Sequence, residues 1–375
     1  VLFLFLNTGG GHRSTAYAVA EALRDLYGDH VHTDLVDVTA EYFPWPASRL
    51  DALYNRLVRL NAWPWAIVYH LTSGVRRMAL LNHAWYLLTG ESILSLLDDH
   101  PADVIVCCHP LLKAPIARAL TTEGLETQLI TLVTDLASGH ASWFVPGGER
   151  YLVATEQARE CAVACGVPTG SVQVTGLPVR PCFVSAAKGN PISARRNLGL
   201  NPTLPALLLV SGADGVGPLL GLVTAIVNTG VKAQLVVITG SNKKLYERLK
   251  DHTWSLPLRT ERFVTDLHQW MRAADLLVTK AGPSTLTEAL VMGLPMILSG
   301  ALPGQERPNV DYIVDSGAGV WAPTPIQTAE AVRELLDSDG QSLAQMRKSA
   351  QALAQPDAAR RAAQIIWNST RGALA

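Results

Sequence analysis

The sequence is short of the features that mark several broad protein classes. It has five cysteines, an odd number, and neither the adjacent Cys107 and Cys108 nor the pair Cys161 and Cys165 has the company that a zinc site needs. They read as buried thiols in a reducing cytosol. Basic residues are not in excess: 31 Lys and Arg stand against 32 Asp and Glu, a net charge of −1, which argues against a general nucleic-acid binder. Long apolar runs are missing too. VLFLFL at the start is far too short for a membrane span or a signal core, and residues 204–227 carry Asp214 and several glycines in their middle. No secretory signal and no transmembrane helix are expected. With 375 residues, 48% of them hydrophobic and 17% charged, the chain can bury large cores and is too long for one ordinary domain.

What is present is an alternation of short apolar runs with helical patterns. The first half runs VLFLFL, a helix, VHTDLVDV, DVIVCC, LITLVTD and YLVAT. The second runs ALLLVSG, AQLVVITG, RFVTD, LLVTKAG and PMILSG. Each series is the signature of a mostly parallel sheet covered by helices, so the fold class is α/β with two sheets in sequence. Residues 1–180 form the expected first domain and 190–355 the second, joined through the turn-rich stretch 176–191. Residues 356–375 are expected to form a helix that packs back toward the first domain. A cleft between the domains is the expected active site.

One further absence is local. No acidic residue occurs between Asp51 and Glu91, while Arg56, Arg59, Arg76 and Arg77 are interleaved with Tyr54, Trp63, Trp65, Tyr69, Trp85 and Tyr86. Residues 45–97 are helical in period, and arginine mixed with tryptophan and tyrosine is what a helix lying in a membrane interface carries. The competing reading makes these aromatics core residues and the arginines ordinary surface charges.

Two stretches carry chemistry. Behind VLFLFL comes NTGGGHRST, where Gly9, Gly10 and Gly11 make a tight turn before the helix AYAVAEALRDLYG. Strand, glycine loop and helix together aim backbone N–H groups out of the sheet's carboxyl edge, where α/β proteins bind ligands. In the second half, LLVTKAGPSTLTEAL ends a strand at Lys280 and turns at Gly282 and Pro283. Ser284 and Thr285 then open a helix that contains Glu288. Free N–H groups at that helix start suit a diphosphate, with two hydroxyls to help and a carboxylate one turn on for a ribose. The loop PGQERPN adds Gln305, Glu306 and Asn309, the equipment for reading sugar hydroxyls.

Together TGGGHRST, HPLLKAPIAR, TDLASGHASWF, TGLPVRP, SGADGVG, ITGSNKKL, FVTDLHQWM, TKAGPSTLTEAL and PGQERPN resemble the monogalactosyldiacylglycerol synthases and their bacterial diacylglycerol glucosyltransferase relatives. The resemblance runs from residue 7 to about residue 321. It implies a GT-B fold of two Rossmann-like domains with an interdomain cleft, the second holding a UDP-hexose and the first a lipid acceptor. It also implies inverting transfer to the free hydroxyl of diacylglycerol without a catalytic metal or other cofactor. By the same resemblance Gly282, Pro283, Ser284 and Thr285 bind the diphosphate, Glu288 the ribose, and Gln305, Glu306 and Asn309 the hexose. Gly212, Gly215 and Gly217 face the donor's phosphates, the backbone of Phe263 and Val264 reads the uracil, and Arg118 matches a position linked to anionic lipid.

Displacement at the anomeric carbon needs a base for the acceptor's proton. His12 is the first candidate, since a histidine near a helix N-terminus tends to stay neutral. Asp135 is the second, as the base or as the group that orients it. His140 and Trp143 are open between structural and acceptor-lining roles, and Trp63 and Trp65 belong to the lipid-facing set. The chain is expected to work as a peripheral protein on an anionic membrane surface, at its cytoplasmic face. Galactose and glucose remain open as the donor sugar, and a polyprenyl-linked sugar or a sterol as alternative acceptors. A UDP-sugar 2-epimerase and a non-catalytic membrane-binding protein are the rival readings.

Overall fold

The computed structural model describes residues 1–6, 10–50, 52–53, 62–145, 150–210, 212, 218–338 and 340–372, apart from the side chains of residues 62, 63, 76, 371 and 372. Two compact units emerge. The first comprises residues 1–181, 303–305 and 356–375, and the second residues 182–302 and 306–355.

The first unit is built on a six-stranded parallel sheet, ordered β2-β1-β3-β4-β5-β6. Its strands are β1 (Leu2–Phe5), β2 (Asp34–Asp37), β3 (Val104–Cys107), β4 (Gln128–Leu132), β5 (Arg150–Val153) and β6 (Val172–Val174). Side chains alternate across a strand, so a strand covered on both faces must be apolar throughout. β1 shows this: Phe3 and Phe5 enter one core, while Leu2, Leu4 and Leu6 enter the other. On the Phe face, helix α1 (Gly11–Tyr27) contributes Ala16, Ala18, Ala20 and Ala22, small residues that let it lie close to its neighbours. Between β2 and β3 the chain inserts α2 (Ala62–Thr72) and α3 (Val75–Asp99). The far end of α3 buries Ile93 and Leu96 beneath the sheet beside Leu112 and Ile116 of α4 (Pro110–Glu123). α5 (Glu156–Ala164) follows β5, with Thr155 accepting the Ala158 N–H as its cap.

The second unit opens with α6 (Pro181–Ala187) and α7 (Pro191–Asn197). Its parallel sheet is ordered β12-β11-β10-β7-β8-β9. The strands are β7 (Ala206–Val210), β8 (Gln234–Ile238), β9 (Leu258–Glu261), β10 (Leu276–Lys280), β11 (Met296–Gly300) and β12 (Gly319–Trp321). α8 (Leu219–Asn228), α9 (Lys243–Lys250), α10 (Leu267–Ala273), α11 (Pro283–Met292), α12 (Arg307–Asp315), α13 (Pro325–Asp337) and α14 (Gln341–Leu353) connect and cover them. The chain then ends in α15 (Ala358–Gly372), which packs on α1 in the first unit's core through Ala359, Ala362, Ala363 and Ile366.

One strand sits elsewhere than expected. RFVTD, read as a strand, is irregular, and β9 lies four residues earlier, at LRTE. β9 is an edge strand, paired only with β8 and half-exposed, so its register needs no apolar run and its sequence advertises none. The short edge strands β6 and β12 escape the sequence reading for the same reason.

Candidate functional site

In doubly wound sheets, ligands bind at the carboxyl edge where strand order reverses. In the first sheet this is between β1 and β3, and in the second between β7 and β10. The candidate residues collect at these two places, each described within its own unit.

At the first switch point the turn after β1 brings Gly10 into the left-handed region, φ 79°, as the N-cap of α1, and His12 follows in the helix's first turn. A side chain at residue 10 would be strained there, which accounts for the glycine. Gly11 begins the helix, while Gly9 lies outside the described residues. The His12 ring meets that of His109, the N-cap of α4, edge to face at 4.5 Å. Its Nδ1 is 2.7 Å from the hydroxyl of Thr134, two residues beyond β4. Burial pushes the His12 pKa down to about 4, against a hydrogen bond with the Cys108 backbone. His109 is displaced well below its ordinary value, by burial first and then by His12. Both rings are therefore neutral at physiological pH, as a proton acceptor must be.

Asp135 is buried next to Thr134, and its Oδ2 accepts the indole N–H of Trp143 at 2.8 Å. Trp143, expected among residues that either line the acceptor or support the fold, is 1% exposed inside the core formed by Val133, Phe144 and Tyr151. It holds the carboxylate, and its burial leaves no face for a lipid. His140 is tied to α2: Nδ1 lies 2.7 Å from the Ser142 hydroxyl, Nε2 3.2 Å from that of Thr72, and its ring 4.8 Å from Tyr69. Burial lowers the His140 pKa, and it raises that of the Tyr69 phenol, with the charge of Asp135 adding to the latter.

The expected lipid-facing residues fall on the helices beyond. Trp65 is half-buried, 6.5 Å from the Tyr69 ring. The side chain of Trp63 and the residues Tyr54, Arg56 and Arg59 lie outside those described. Exposed Arg118 on α4 bonds His83 Nδ1 at 2.8 Å and caps the Tyr86 ring at 4.3 Å, both from α3. On α2 and α3, Ile67, Val68, Leu71, Leu80, Leu81 and Leu87 are exposed, Leu80 to 77% and Leu87 to 73%. No helix among the described residues is long and apolar enough to cross a membrane.

At the second switch point, the loop after β7 again has a left-handed glycine, Gly212, φ 71°, while Gly215 and Gly217 lie outside the described residues. The loop after β10 leads into α11 through Gly282, with Pro283 at its first position and no side-chain cap. The backbone N–H groups of Ser284 and Thr285 are thus orphans of the helix start. The Ser284 hydroxyl is shielded and has no partner among the described residues. Glu288 lies one turn on and is largely buried. Val264 is half-buried in the loop after β9, and Phe263 beside it is 62% exposed.

Lys280, overlooked in the sequence beyond marking a strand end, joins these turns. A Cβ on Gly282 would come within 3.2 Å of its Nζ, and one on Gly212 within 3.6 Å of its Cε. The only signal in the sequence is a cation at the last position of a strand that precedes a Gly-Pro turn. Its ammonium bonds Glu306 Oε1 at 2.5 Å, and Glu306 Oε2 accepts the Leu302 N–H at 2.8 Å. Glu306 is 3% exposed and Asn309, whose Nδ2 donates to the Ala281 carbonyl at 3.0 Å, is 2% exposed. Both brace the turn that holds Lys280. Gln305 clusters with the first unit, and its Oε1 has no partner among the described residues. No group of three or more His, Cys, Asp or Glu among the described residues is placed to hold a metal ion.

Two parallel six-stranded sheets, each with a glycine turn at its switch point, define a protein of the GT-B fold. Solved structures agree on the fold. Acinetobacter baumannii MurG superposes with a TM-score of 0.62 at 16% identity, covering 98% of this chain and 99% of that one. The S. aureus MnaA–UDP co-structure gives 0.62 at 13%, covering 96% and 94%. The sequence profile of monogalactosyldiacylglycerol (MGDG) synthase matches residues 12–179, and that of the glycosyltransferase family 28 C-terminal domain matches residues 207–364. Monogalactosyldiacylglycerol synthase 3 of Arabidopsis thaliana is 35% identical over 369 residues, 96% of this chain and 78% of that protein. The spinach (Spinacia oleracea) monogalactosyldiacylglycerol synthase is 34% identical over 368 residues, covering 96% and 70%. The chain belongs to the monogalactosyldiacylglycerol synthase family.

Proposed function

We infer that this chain transfers a hexosyl group from a UDP-hexose to the hydroxyl of diacylglycerol, with inversion at the anomeric carbon. The observation that carries the reading is the convergence at the second switch point of an uncapped helix start, the Ser284 hydroxyl and the Lys280 ammonium. Family membership supports it. The orphan N–H groups and the ammonium are fixed donors for a diphosphate. They stabilise the charge that grows on UDP as the anomeric C–O bond breaks, without rearranging. No metal is needed for that step. Glu288, one turn further in, takes the ribose, and the loop of Phe263 and Val264 the uracil.

In the first unit His12 takes the proton of the acceptor hydroxyl as its oxygen forms the new bond to the anomeric carbon. Thr134 and the Cys108 backbone fix the ring by hydrogen bonds, and Trp143 fixes Asp135 beside it. The exposed leucines of α2 and α3, with Arg77 on α3 and Arg118 bonded to His83 of α3, supply a surface for peripheral binding to an anionic membrane, at its cytoplasmic face. An epimerase needs no such surface.

The test is to incubate the purified protein with diacylglycerol liposomes and, separately, UDP-galactose and UDP-glucose, and to analyse the lipids by mass. A monohexosyl diacylglycerol is expected from at least one donor. Free hexose or an epimerised nucleotide sugar without any glycolipid would refute the assignment.

A further inference from the structure

The second unit contains a cleft that the proposed reaction does not use. It has a volume of about 400 Å³ and lies between α6, α7 and α10. This is the size of a pocket for a small molecule. Its walls present Ser185, Ser193, Asn197, Gln269 and Arg272, and no carboxylate is among its lining residues.

Arg272 gives the cleft its character. Its Nη1 donates to the Ala187 carbonyl at the end of α6, 2.9 Å away, while its shielded Nε has no partner among the described residues. The carboxylate that would otherwise serve it is committed. Asp275 Oδ2 takes the Arg195 Nη2 at 2.6 Å and the Ala206 N–H at 2.8 Å. Arg195 is engaged as well, its Nε donating to the Ala273 carbonyl at 2.8 Å. Burial, and then the charges of Arg347 and Arg195, oppose the guanidinium of Arg272, with only Asp275 favouring it. A half-buried guanidinium with an unpaired Nε, positive neighbours and hydroxyl and amide groups around it is a site short of an anion.

The cleft is also separate from the donor site. Asp275 immediately precedes β10 and Ala273 ends α10, so this end of the cleft adjoins the amino edge of the sheet. Gly282 and Ser284 follow the other end of the five-residue β10, roughly 16 Å along the strand.

We propose that this cleft binds the phosphate group of a small soluble molecule, with Arg272 as the charged donor and the Ser185, Ser193, Asn197 and Gln269 side chains around it. Bound there, the phosphate bridges the helices that open the unit to the helix that follows the Phe263 loop. The proposal does not depend on the glycosyltransferase reading.

The full chain is titrated with inorganic phosphate and, in a second arm, glycerol 3-phosphate, at constant ionic strength and with UDP present in excess to fill the donor site. Binding is read by phosphorus NMR line width and by calorimetry. Saturable binding is expected in at least one arm, below about 20 mM. Arg272→Gln should weaken it by about tenfold or more. Ser193→Asp provides the control for folding. Ser193 is exposed in the first turn of α7, where a carboxylate is favoured, so this variant folds while placing a negative charge at the cleft. It should weaken binding to a similar degree. Absence of saturation in both arms overturns the proposal. So does binding that appears when UDP is left out and vanishes when it is in excess, or binding that Ser193→Asp leaves intact.

Discussion

His12 and His109 make an unusual acid–base unit, and the perturbation that exposes it is pH. The pKa of His12 in the folded chain, about 4, lies below its ordinary value of 6.5. At about pH 5 a ring with that pKa is about 90% neutral, whereas an ordinary histidine is about 3% neutral. If His12 is the base, kcat/KM stays level from about pH 8 to about pH 5, and falls only as the pH approaches 4. An ordinary histidine would already have cost about thirtyfold at pH 5. The same shift couples to stability. Because the folded pKa is depressed, the unfolded chain binds the proton first. The contribution of neutral His12 is complete above pH 6.5 and drains away as the pH falls from 6.5 to about 4. Between about pH 7 and pH 5 this amounts to about 2 kcal/mol of the first unit's stability. His12→Gln cannot protonate, so urea unfolding of this variant should lose about 2 kcal/mol less over that interval than the parent chain. Histidine ring-carbon NMR reads the titration directly. A His12 midpoint near 6.5, or a parent and variant with the same acid sensitivity, would refute the reasoning.

Other perturbations act at the second switch point and on the exposed helices. Glu306→Gln keeps an acceptor for the Leu302 N–H but leaves Lys280 without its counter-charge. With the ammonium one-third exposed, about 1–2 kcal/mol of stability should be lost in chemical denaturation, and kcat should change more than the KM for UDP-hexose. Gly212→Ala forces a side chain into φ 71°, costing about 1–2 kcal/mol by backbone strain; its Cβ would have ordinary contact with Lys280, so a variant as stable as the parent chain would count against the described turn. Replacing Leu80 and Leu87 by serine should lower partition onto anionic liposomes at least tenfold, measured by sedimentation, with the unfolding midpoint almost unmoved. Transfer activity should persist in EDTA, because the charge on departing UDP is met by Lys280 and the start of α11; full loss that only a divalent cation restores would contradict this.

Much of the architecture was legible because both sheets are covered on both faces. A central parallel strand must then be apolar without interruption, and VLFLFL, DVIVCC, ALLLV and LLVT stand out for that reason. Glycine turns announced the two switch points, since the left-handed backbone at Gly10 and Gly212 admits little else. Edge strands gave weaker signals, and β9 was displaced onto RFVTD because Phe263 and Val264 look like strand residues although the first of them is in solvent. The site was read less completely. Residue type alone made Glu306 and Asn309 look like sugar ligands, yet partners distant in sequence, Lys280 and Ala281, draw them inward. Lys113 shows the same limit: a lysine in HPLLKAPIAR passes for a surface charge, but it is fully buried with its ammonium 5.5 Å from the Tyr151 ring. His109 escaped notice because its encounter with His12 is created by the adjacency of β1 and β3, about a hundred residues apart.

The closing of the first core by α15 bears on how the chain is born. Tyr27 in α1 stacks on Trp367 at 4.3 Å, and the alanine face of α1 meets the alanines of α15. Those partners leave the ribosome about 180 residues after the unit's first segment, residues 1–181, a wait of roughly 10–35 s at ordinary rates of translation. Until then the nascent unit shows a bare apolar flank to its surroundings, so a chaperone that shields α1 should matter most during that interval.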